Sequence, residues 1–189
     1  MWFLKNRKIL LLLLSLLLVA FVLVKTNWHE LRRDEVRLLY LKQLALNFAN
    51  IYKDQSVILV SKRDHLLYYC EKGKLMENDY WNGYLFTFPV KVSIANRWYR
   101  TPEGLVHIDR KNSRSRYTLF LGLSFPGDYG IHGAPSYLSS FLTQMENLDH
   151  NFTFVTRKDD TRGCVAVENR VIKYLFAKVD LNTPVLILP

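Results

Sequence analysis

Two short motifs of the sequence combine a reactive side chain with glycine, Ile131-His132-Gly133-Ala134 and Thr161-Arg162-Gly163-Cys164-Val165. A cysteine is a nucleophile only as the thiolate, and a neighbouring imidazole can remove its proton and stabilise the resulting charge. Glycine beside the cysteine lets the backbone turn sharply, so that N–H groups can approach a developing oxyanion. Together the motifs indicate acyl transfer. By itself, a Cys–His pair 32 positions apart is more typical of a buried cysteine and an ordinary histidine than of a catalytic pair.

Further segments surround these motifs in an order typical of one enzyme domain: Val57-Ile58-Leu59-Val60-Ser61, Leu66-Leu67-Tyr68-Tyr69, Gly73-Lys74-Leu75, Arg100-Thr101-Pro102-Glu103-Gly104 and Thr183-Pro184-Val185. From near Val57 to the C-terminus, the chain resembles the L,D-transpeptidase (YkuD-type) catalytic domain. The resemblance implies a mainly β (α+β) fold, an L,D-transpeptidase-like β sandwich or barrel with a few peripheral helices.

The resemblance also implies a reaction. In that family the cysteine attacks the bond between the third residue and a terminal D-alanine of a peptidoglycan stem peptide, and the acyl group passes to an amine or to water. Carried onto this sequence, it makes Cys164 the nucleophile and His132 the general base and later acid. The backbone N–H groups of Gly163 and Cys164 are the expected oxyanion donors.

Substrate contacts are expected at Thr161, Arg162 and Gly133, although two positions depart from the family pattern. Relatives often carry His directly before Gly-Cys and Asn or Arg two places after the cysteine, whereas this chain has Arg162 and Ala166. A guanidinium stays protonated and cannot act as a base, but it can lower the thiol pKa or bind a substrate carboxylate through two hydrogen bonds. A solvated loop arginine is an equally good interpretation of Arg162. Ala166 offers no polar group, which favours hydrolysis as an alternative to transpeptidation.

After Gln55 the pattern is mostly β, with short runs of apolar residues between turn residues. Strands are predicted at Ser56–Val60, Leu66–Cys70, Tyr84–Ile94, Tyr117–Leu123, Phe152–Val155 and Val185–Leu188. Apolar residues at helical spacing predict a helix from Leu138 to Leu148, capped by Ser136, and another from Val171 to Val179, with Asn169 as a possible N-cap. The catalytic cysteine is expected between a strand and a helix.

The N-terminal region predicts an export signal. Sixteen uncharged residues, Ile9 to Val24, follow the basic cluster Lys5, Arg7 and Lys8, and no small-x-small cleavage site ends the run. We therefore expect residues 1–25 to be a cytoplasmic basic stub and an uncleaved transmembrane anchor, residues 26–54 a juxtamembrane helix, and residues 55–189 the catalytic domain. The positive-inside rule then places that domain on the periplasmic side of the inner membrane.

Composition restricts the partners. The net charge of +9 suits an anionic polymer or a membrane surface, and nothing resembles a nucleic-acid module. The histidines show no metal-site spacing and no nucleotide loop is present, so neither a metal nor a cofactor is expected. Cys70 is interpreted as a small core residue. The expected partners are peptidoglycan stem peptides and the membrane, and the oligomeric state is left open.

Three functions remain. The first is a peptidoglycan L,D-transpeptidase that acts through a Cys164 thioester. The second is an L,D-carboxypeptidase or hydrolase of stem peptides or of a protein–peptidoglycan link. The third is a non-catalytic wall-binding module in which Cys164 and His132 are idle.

Overall fold

The computed structural model of the chain describes residues 33–76, 87–94, 99–149, 152, 154–155 and 159–189. The described helices are α1 (33–51), α2 (Ser139–Leu148) and α3 (Asn169–Lys178), and a single 3₁₀ turn (Ser136–Leu138) leads into α2. The described strands are β1 (Ser56–Ser61), β2 (Leu66–Glu71), β3 (Lys74–Leu75), β4 (Thr87–Pro89), β5 (Gly104–Asn112), β6 (Phe120–Leu123), β7 (Gly130–His132), β8 (Val165–Ala166) and β9 (Pro184–Leu188). The chain consists of two compact units, of which the larger comprises Gln43–Pro189.

The nine described strands form a curled sheet in the order β3-β2-β1-β9-β5-β6-β7-β8, and β4 pairs with β2. The β1–β9 and β7–β8 pairs are parallel and the other pairs are antiparallel. Lys91, just after β4, exchanges two backbone hydrogen bonds of 2.9 Å with Ala166 of β8. This bridge joins the two ends of the sheet and fixes the strand that follows Cys164.

The core explains why these segments fold. Most residues of β1 and β2 are buried, because both faces of these strands are covered. On one side, Ala45, Phe48 and Ala49 of α1 are buried, and Cys70 Sγ donates a hydrogen bond to the Ala45 carbonyl at 3.7 Å. On the other side, α3 packs on β6 and β7 through its apolar face. The prediction that Cys70 is a core residue is confirmed, since it is 1% exposed.

The predicted mainly β fold with peripheral helices is confirmed, and β1, β2 and β9 lie where the apolar runs placed them. Strand β5 was missed: buried Val106 and Ile108 alternate in it with exposed polar residues, so the segment contains no apolar run. The strand predicted over 152–155 is wrong for the residues described there: Phe152, Phe154 and Val155 do not belong to any β-strand.

Both predicted helix caps are wrong. Ser136 begins the 3₁₀ turn, and its hydroxyl donates to the Arg116 carbonyl at 3.0 Å instead of capping α2. Asn169 is the first residue of α3, whose N-cap position is Glu168. In each case the side chain that the local pattern assigned to capping forms its hydrogen bond with a residue distant in the sequence instead.

The predicted stub and anchor, residues 1–25, and the first part of the predicted juxtamembrane helix lie outside the described residues. The described part of that helix runs over 33–51. No helix within the described part of the chain has the length and apolar character needed to cross a bilayer.

Candidate active site

Cys164 directly precedes β8, so the cysteine lies before the strand and not between a strand and a helix as predicted. It is half-buried, and its Sγ donates a hydrogen bond to the Asp128 carbonyl at 3.7 Å. The Thr161 hydroxyl holds this loop: Oγ1 donates to the Cys164 carbonyl at 2.7 Å and accepts from the Gly163 N–H at 3.3 Å. One side chain therefore fixes the turn that presents the thiol.

Gly163 is required by the conformation of this turn. Its φ is +101°, which side chains with a Cβ rarely adopt, and an added Cβ would lie 2.3 Å from Tyr129 Cε1. Gly163 is buried, and its N–H already donates to Thr161. An oxyanion would have to compete with that hydroxyl for the N–H.

His132 ends β7 and is 6% exposed. Its Nδ1 lies 2.7 Å from the Gly133 carbonyl oxygen. A carbonyl can only accept, so Nδ1 carries the ring proton and Nε2 keeps a free lone pair. The Tyr117 ring stacks on the imidazole with centroids 3.6 Å apart and planes 16° from parallel. The ring is thus held in the tautomer and orientation of a general base.

The turn after His132 is fixed by α3. Asn169 Oδ1 accepts hydrogen bonds from the Ala134 N–H and the Thr118 hydroxyl, both at 2.9 Å. A Cβ at Gly133 would lie 2.6 Å from that oxygen. The absence of a side chain at Gly133 therefore lets α3 approach the backbone that carries the base.

Burial favours the neutral forms of both His132 and Cys164. Burial lowers the pKa of His132 to about 4, assisted by the Arg116 charge and opposed by the hydrogen bond to Gly133. Burial also raises the pKa of the Cys164 thiol, and the Asp128 charge adds to this effect. A backbone hydrogen bond to Gly130 and the charges of Arg116 and Arg110 oppose it. These shifts favour a thiol and a neutral imidazole in the resting cavity over a thiolate–imidazolium ion pair.

One cavity of about 440 Å³ contains both groups. The hydrogen bonds of Cys164 Sγ and His132 Nδ1 go to backbone carbonyls rather than to each other. Of the other residues that the sequence indicated, the structure places these in the cavity wall: Gly133, Thr161, Arg162 and Ala166. We name it the nucleophile cavity. A thiol, a base nitrogen with a free lone pair and a cavity that both groups line are the parts that acyl transfer requires.

The model of the L,D-transpeptidase catalytic domain (YkuD) family matches residues 55–187, most of the chain. The chain belongs to this family. The resemblance inferred from the ordered motifs is confirmed. Among curated protein sequences, none matches the chain significantly.

Solved L,D-transpeptidase structures share the fold of this domain. One from Mycobacterium tuberculosis H37Rv is 17% identical with a TM-score of 0.52 over 71% of this chain and 57% of its own. L,D-transpeptidase 3 of Mycobacterium tuberculosis, in complex with a faropenem-derived adduct, is 13% identical with a TM-score of 0.52 over 71% and 60%. An L,D-transpeptidase from Mycobacterium smegmatis is 10% identical with a TM-score of 0.50 over 71% and 59%. The chain thus spans about three fifths of the length of these structures.

Several residues around the site of this L,D-transpeptidase domain were missed by sequence reasoning. Tyr117 and Arg116 line the nucleophile cavity but belong to the segment between β5 and β6, about fifteen positions before His132. Lys91 forms an ion pair of 3.1 Å with Asp160, which directly precedes the Thr161-Arg162-Gly163-Cys164 motif. No motif spacing links these positions, because only the curled sheet brings them together.

Glu168 is a further residue that the motifs did not reveal. It is 2% exposed, its carboxylate accepts a short hydrogen bond from the Val155 N–H, and burial raises its pKa. Val155 and its neighbour Phe154 line the nucleophile cavity. Glu168 therefore ties one wall of the cavity to the start of α3.

Arg162 is exposed, and its guanidinium lies 6.0 Å from the centre of the Tyr99 ring. Among the described residues it has no ion pair, so its charge is available at the cavity wall. The described residues contain no cluster of three or more side chains suited to hold a metal ion.

Proposed function

We propose that this protein is a peptidoglycan L,D-transpeptidase in which Cys164 forms a thioester with a stem peptide. Membership of the L,D-transpeptidase family supports the substrate class. The observation that carries the proposal is that Cys164 and His132 line one cavity, with the Nδ1–H of the imidazole bound to the Gly133 carbonyl. That arrangement leaves Nε2 as the group that can take the thiol proton.

The first half-reaction is an acyl transfer to sulfur. The Sγ–H proton moves to Nε2 of His132, and the sulfur forms a bond to the carbonyl carbon that precedes the terminal D-alanine. The carbonyl oxygen becomes an oxyanion near the backbone N–H of Cys164, and the Gly163 N–H joins it by giving up its hydrogen bond to the Thr161 hydroxyl. The C–N bond then breaks, the leaving amine takes the proton from Nε2–H, and a thioester remains on Cys164.

The second half-reaction releases the enzyme. An acceptor amine attacks the thioester carbon and gives a proton to Nε2 of His132. The C–S bond breaks, the sulfur recovers that proton, and a new amide bond joins the two stems. Because His132 has a pKa of about 4, it is neutral and able to act as a base at physiological pH.

Mass spectrometry of the intact protein tests the proposal. Incubation with a stem tetrapeptide, or with a carbapenem, should add one acyl group at Cys164. Cys164→Ala should show no adduct, and the buried thiol of Cys70 serves as an internal control. A folded, reduced sample that stays unmodified at Cys164 contradicts the proposal.

His132 is tested against a matched histidine. His107 is exposed and bonded to the Ser124 hydroxyl, away from the nucleophile cavity. We expect His132→Gln to slow acylation about 100-fold or more, the usual contribution of a positioned general base. His107→Gln should acylate at the wild-type rate, and equal rates for the two variants would remove His132 from the mechanism.

Hydrolysis is the second candidate, and Ala166 favours it. The side chain of this residue in the nucleophile cavity is apolar, so it offers no polar contact to hold an incoming amine. Water then takes the place of the amine in the second half-reaction, and the product is a shortened stem. Product analysis with and without an added amine distinguishes the two reactions, since only a transpeptidase forms the cross-linked peptide.

We further propose that residues 9–24 anchor the protein in the inner membrane, with the catalytic domain on the periplasmic side. A run of sixteen uncharged residues after a basic cluster supports this location. The full chain should remain in the membrane fraction after carbonate extraction, whereas a chain lacking residues 1–25 should be released. Release of both chains contradicts the anchor.

A further inference from the structure

A second cavity, of about 370 Å³, adjoins the nucleophile cavity. We name it the arginine cavity, because Arg110, Arg114 and Arg116 line it. The two cavities share Arg116, Tyr117 and Asp128 in their walls. Since the Asp128 carbonyl accepts the hydrogen bond of Cys164 Sγ, the arginine cavity begins beside the nucleophile.

The charge of this cavity is strongly unbalanced. Of its three arginines only Arg110 is paired within the described part of the chain, with Asp128 of the cavity wall at 2.5 Å and with Asp109 outside it at 3.4 Å. Neither Arg114 nor Arg116 has an ion pair among the described residues. Two guanidinium groups are therefore available to an anion that enters from the nucleophile cavity. A guanidinium matches the planar, two-oxygen geometry of a carboxylate.

Aromatic rings hold two of the arginines in place. The guanidinium of Arg110 lies 5.4 Å from the centre of the Phe120 ring, and that of Arg116 lies 5.1 Å from the centre of the Tyr117 ring. The Tyr117 and Phe120 rings are themselves stacked, with centroids 6.4 Å apart. Cation–π contacts orient these side chains before a ligand arrives, which reduces the entropy lost on binding.

We propose that the arginine cavity binds a carboxylate of the stem peptide whose acyl group reacts at Cys164, or of the peptide that accepts it. The proposal rests on the proposed function for its substrate class. Ala166 offers no polar group in the nucleophile cavity. Arg114 and Arg116, from the segment between β5 and β6, supply guanidinium groups in the adjoining cavity.

Binding to the Cys164→Ala protein tests the cavity without any chemistry at sulfur. The probes are a stem tetrapeptide with free carboxylates and the same peptide with its carboxylates converted to carboxamides, compared by isothermal titration calorimetry. We expect the acid to bind about tenfold more tightly or better, the usual effect of a charge-assisted hydrogen bond. Adding Arg114→Gln should reduce the affinity for the acid to that for the amide.

Arg63→Gln is the matched control. Arg63 is exposed in the β1–β2 turn and lines neither cavity, so this variant makes the same charge change elsewhere. It should keep the preference for the acid. Equal binding of acid and amide, no binding of either, or an equal loss in the Arg63 and Arg114 variants overturns the proposal.

A second arm separates the two sources of the carboxylate. Wild-type and Arg114→Gln proteins are first acylated by the donor peptide, and the thioester is then offered an acceptor as acid or amide. A preference for the acid that appears in acylation and depends on Arg114 assigns the cavity to the donor. The same preference in the second step assigns it to the acceptor.

The two proposals fail in different ways. Acid-selective binding that depends on Arg114, with no adduct at Cys164, keeps the cavity and refutes the acyltransferase. An adduct at Cys164 that forms equally fast from the acid and amide peptides, and without dependence on Arg114, keeps the acyltransferase and refutes the cavity.

Discussion

Gly163→Ala should damage both the stability and the reactivity of the domain, for two separable reasons. The first is backbone strain, because φ at Gly163 is +101°. The second is overlap, because the new Cβ would lie 2.3 Å from Cε1 and 2.9 Å from Cδ1 of Tyr129. The half-buried Tyr129 ring packs edge-on against Phe125, so relief of the overlap requires the ring to leave this contact or the cysteine turn to shift.

The magnitudes follow from these two effects. A residue with a Cβ at this φ costs about 1–3 kcal/mol of strain, and forced overlap in a packed region costs about 1–3 kcal/mol more. The expected loss in the free energy of unfolding is therefore about 2–6 kcal/mol. A displacement of the adjacent Cys164 by about 1 Å should slow its acylation on the order of 100-fold.

Gly104→Ala isolates the strain. Gly104 also has a φ of +101°, but nothing lies within 4 Å of the position that its Cβ would occupy. The free energy of unfolding of this variant should fall only by the cost of backbone strain, about 1–3 kcal/mol. The rate of acylation at Cys164 should stay at the wild-type value. Urea unfolding at pH 7 gives the stabilities, and the rate of adduct formation by mass spectrometry gives the reactivity.

A double-mutant cycle with Tyr129→Ala completes the test. With the ring removed, Gly163→Ala should cost about as much as Gly104→Ala, because only strain remains. Equal destabilisation by the two glycine variants in the wild-type background, with unchanged acylation at Cys164, would refute the argument that Gly163 is needed for close packing against Tyr129.

Three further predictions follow from the electrostatics of the pair. Since the pKa of His132 is about 4 when folded and near 6.5 when unfolded, unfolding takes up a proton between these values, and the unfolding free energy should fall by up to about 3 kcal/mol as the pH drops from 6.5 to 4. Denaturation of His132→Gln at both pH values should lack this part of the decrease. Alkylation of Cys164 by iodoacetamide should accelerate about tenfold per pH unit through pH 8, because its raised pKa leaves little thiolate, and a plateau below pH 7 would contradict a neutral pair. In the same experiment Cys70, whose pKa is about 12, should stay unmodified until the protein unfolds. Tyr117→Ala should admit water to the His132 imidazole and raise its pKa toward 6.5. The rate of acylation at Cys164 should then begin to fall at a higher pH as the solution is acidified. If the rate falls at the same pH as in the wild type, stacking does not control the desolvation of His132.

The sequence could single out His132 and Cys164, which the fold brings to one cavity, because their signal is local. His132 and Cys164 each stand in a short motif with glycine, and the order of the surrounding segments is specific to one family. The apolar runs of β1, β2 and β9 were equally clear, since buried strands need such residues along their whole length.

The helix caps show where local pattern fails. Asn169 has the residue type and position of a cap, yet its side-chain oxygen binds the backbone of Ala134, 35 positions earlier. Strand β5 shows the same limit, because its inward residues are only alternate ones and its outward residues are polar. Both the hydrogen-bond partner of a side chain and the burial of a strand depend on groups that are distant in the sequence.

The amino-acid sequence by itself determined the family and the mainly β fold, and it predicted Cys164 as the nucleophile and His132 as the base. Tertiary structure alone decided that Tyr117 covers the imidazole and that the Gly133 carbonyl sets its tautomer. It alone also decided that three arginines line a cavity adjoining the one that contains the thiol. The physical reason is one of distance along the chain. A motif encodes contacts within a few residues, whereas burial, pKa and the charge of a cavity are set by groups that the curled sheet brings together from separate strands.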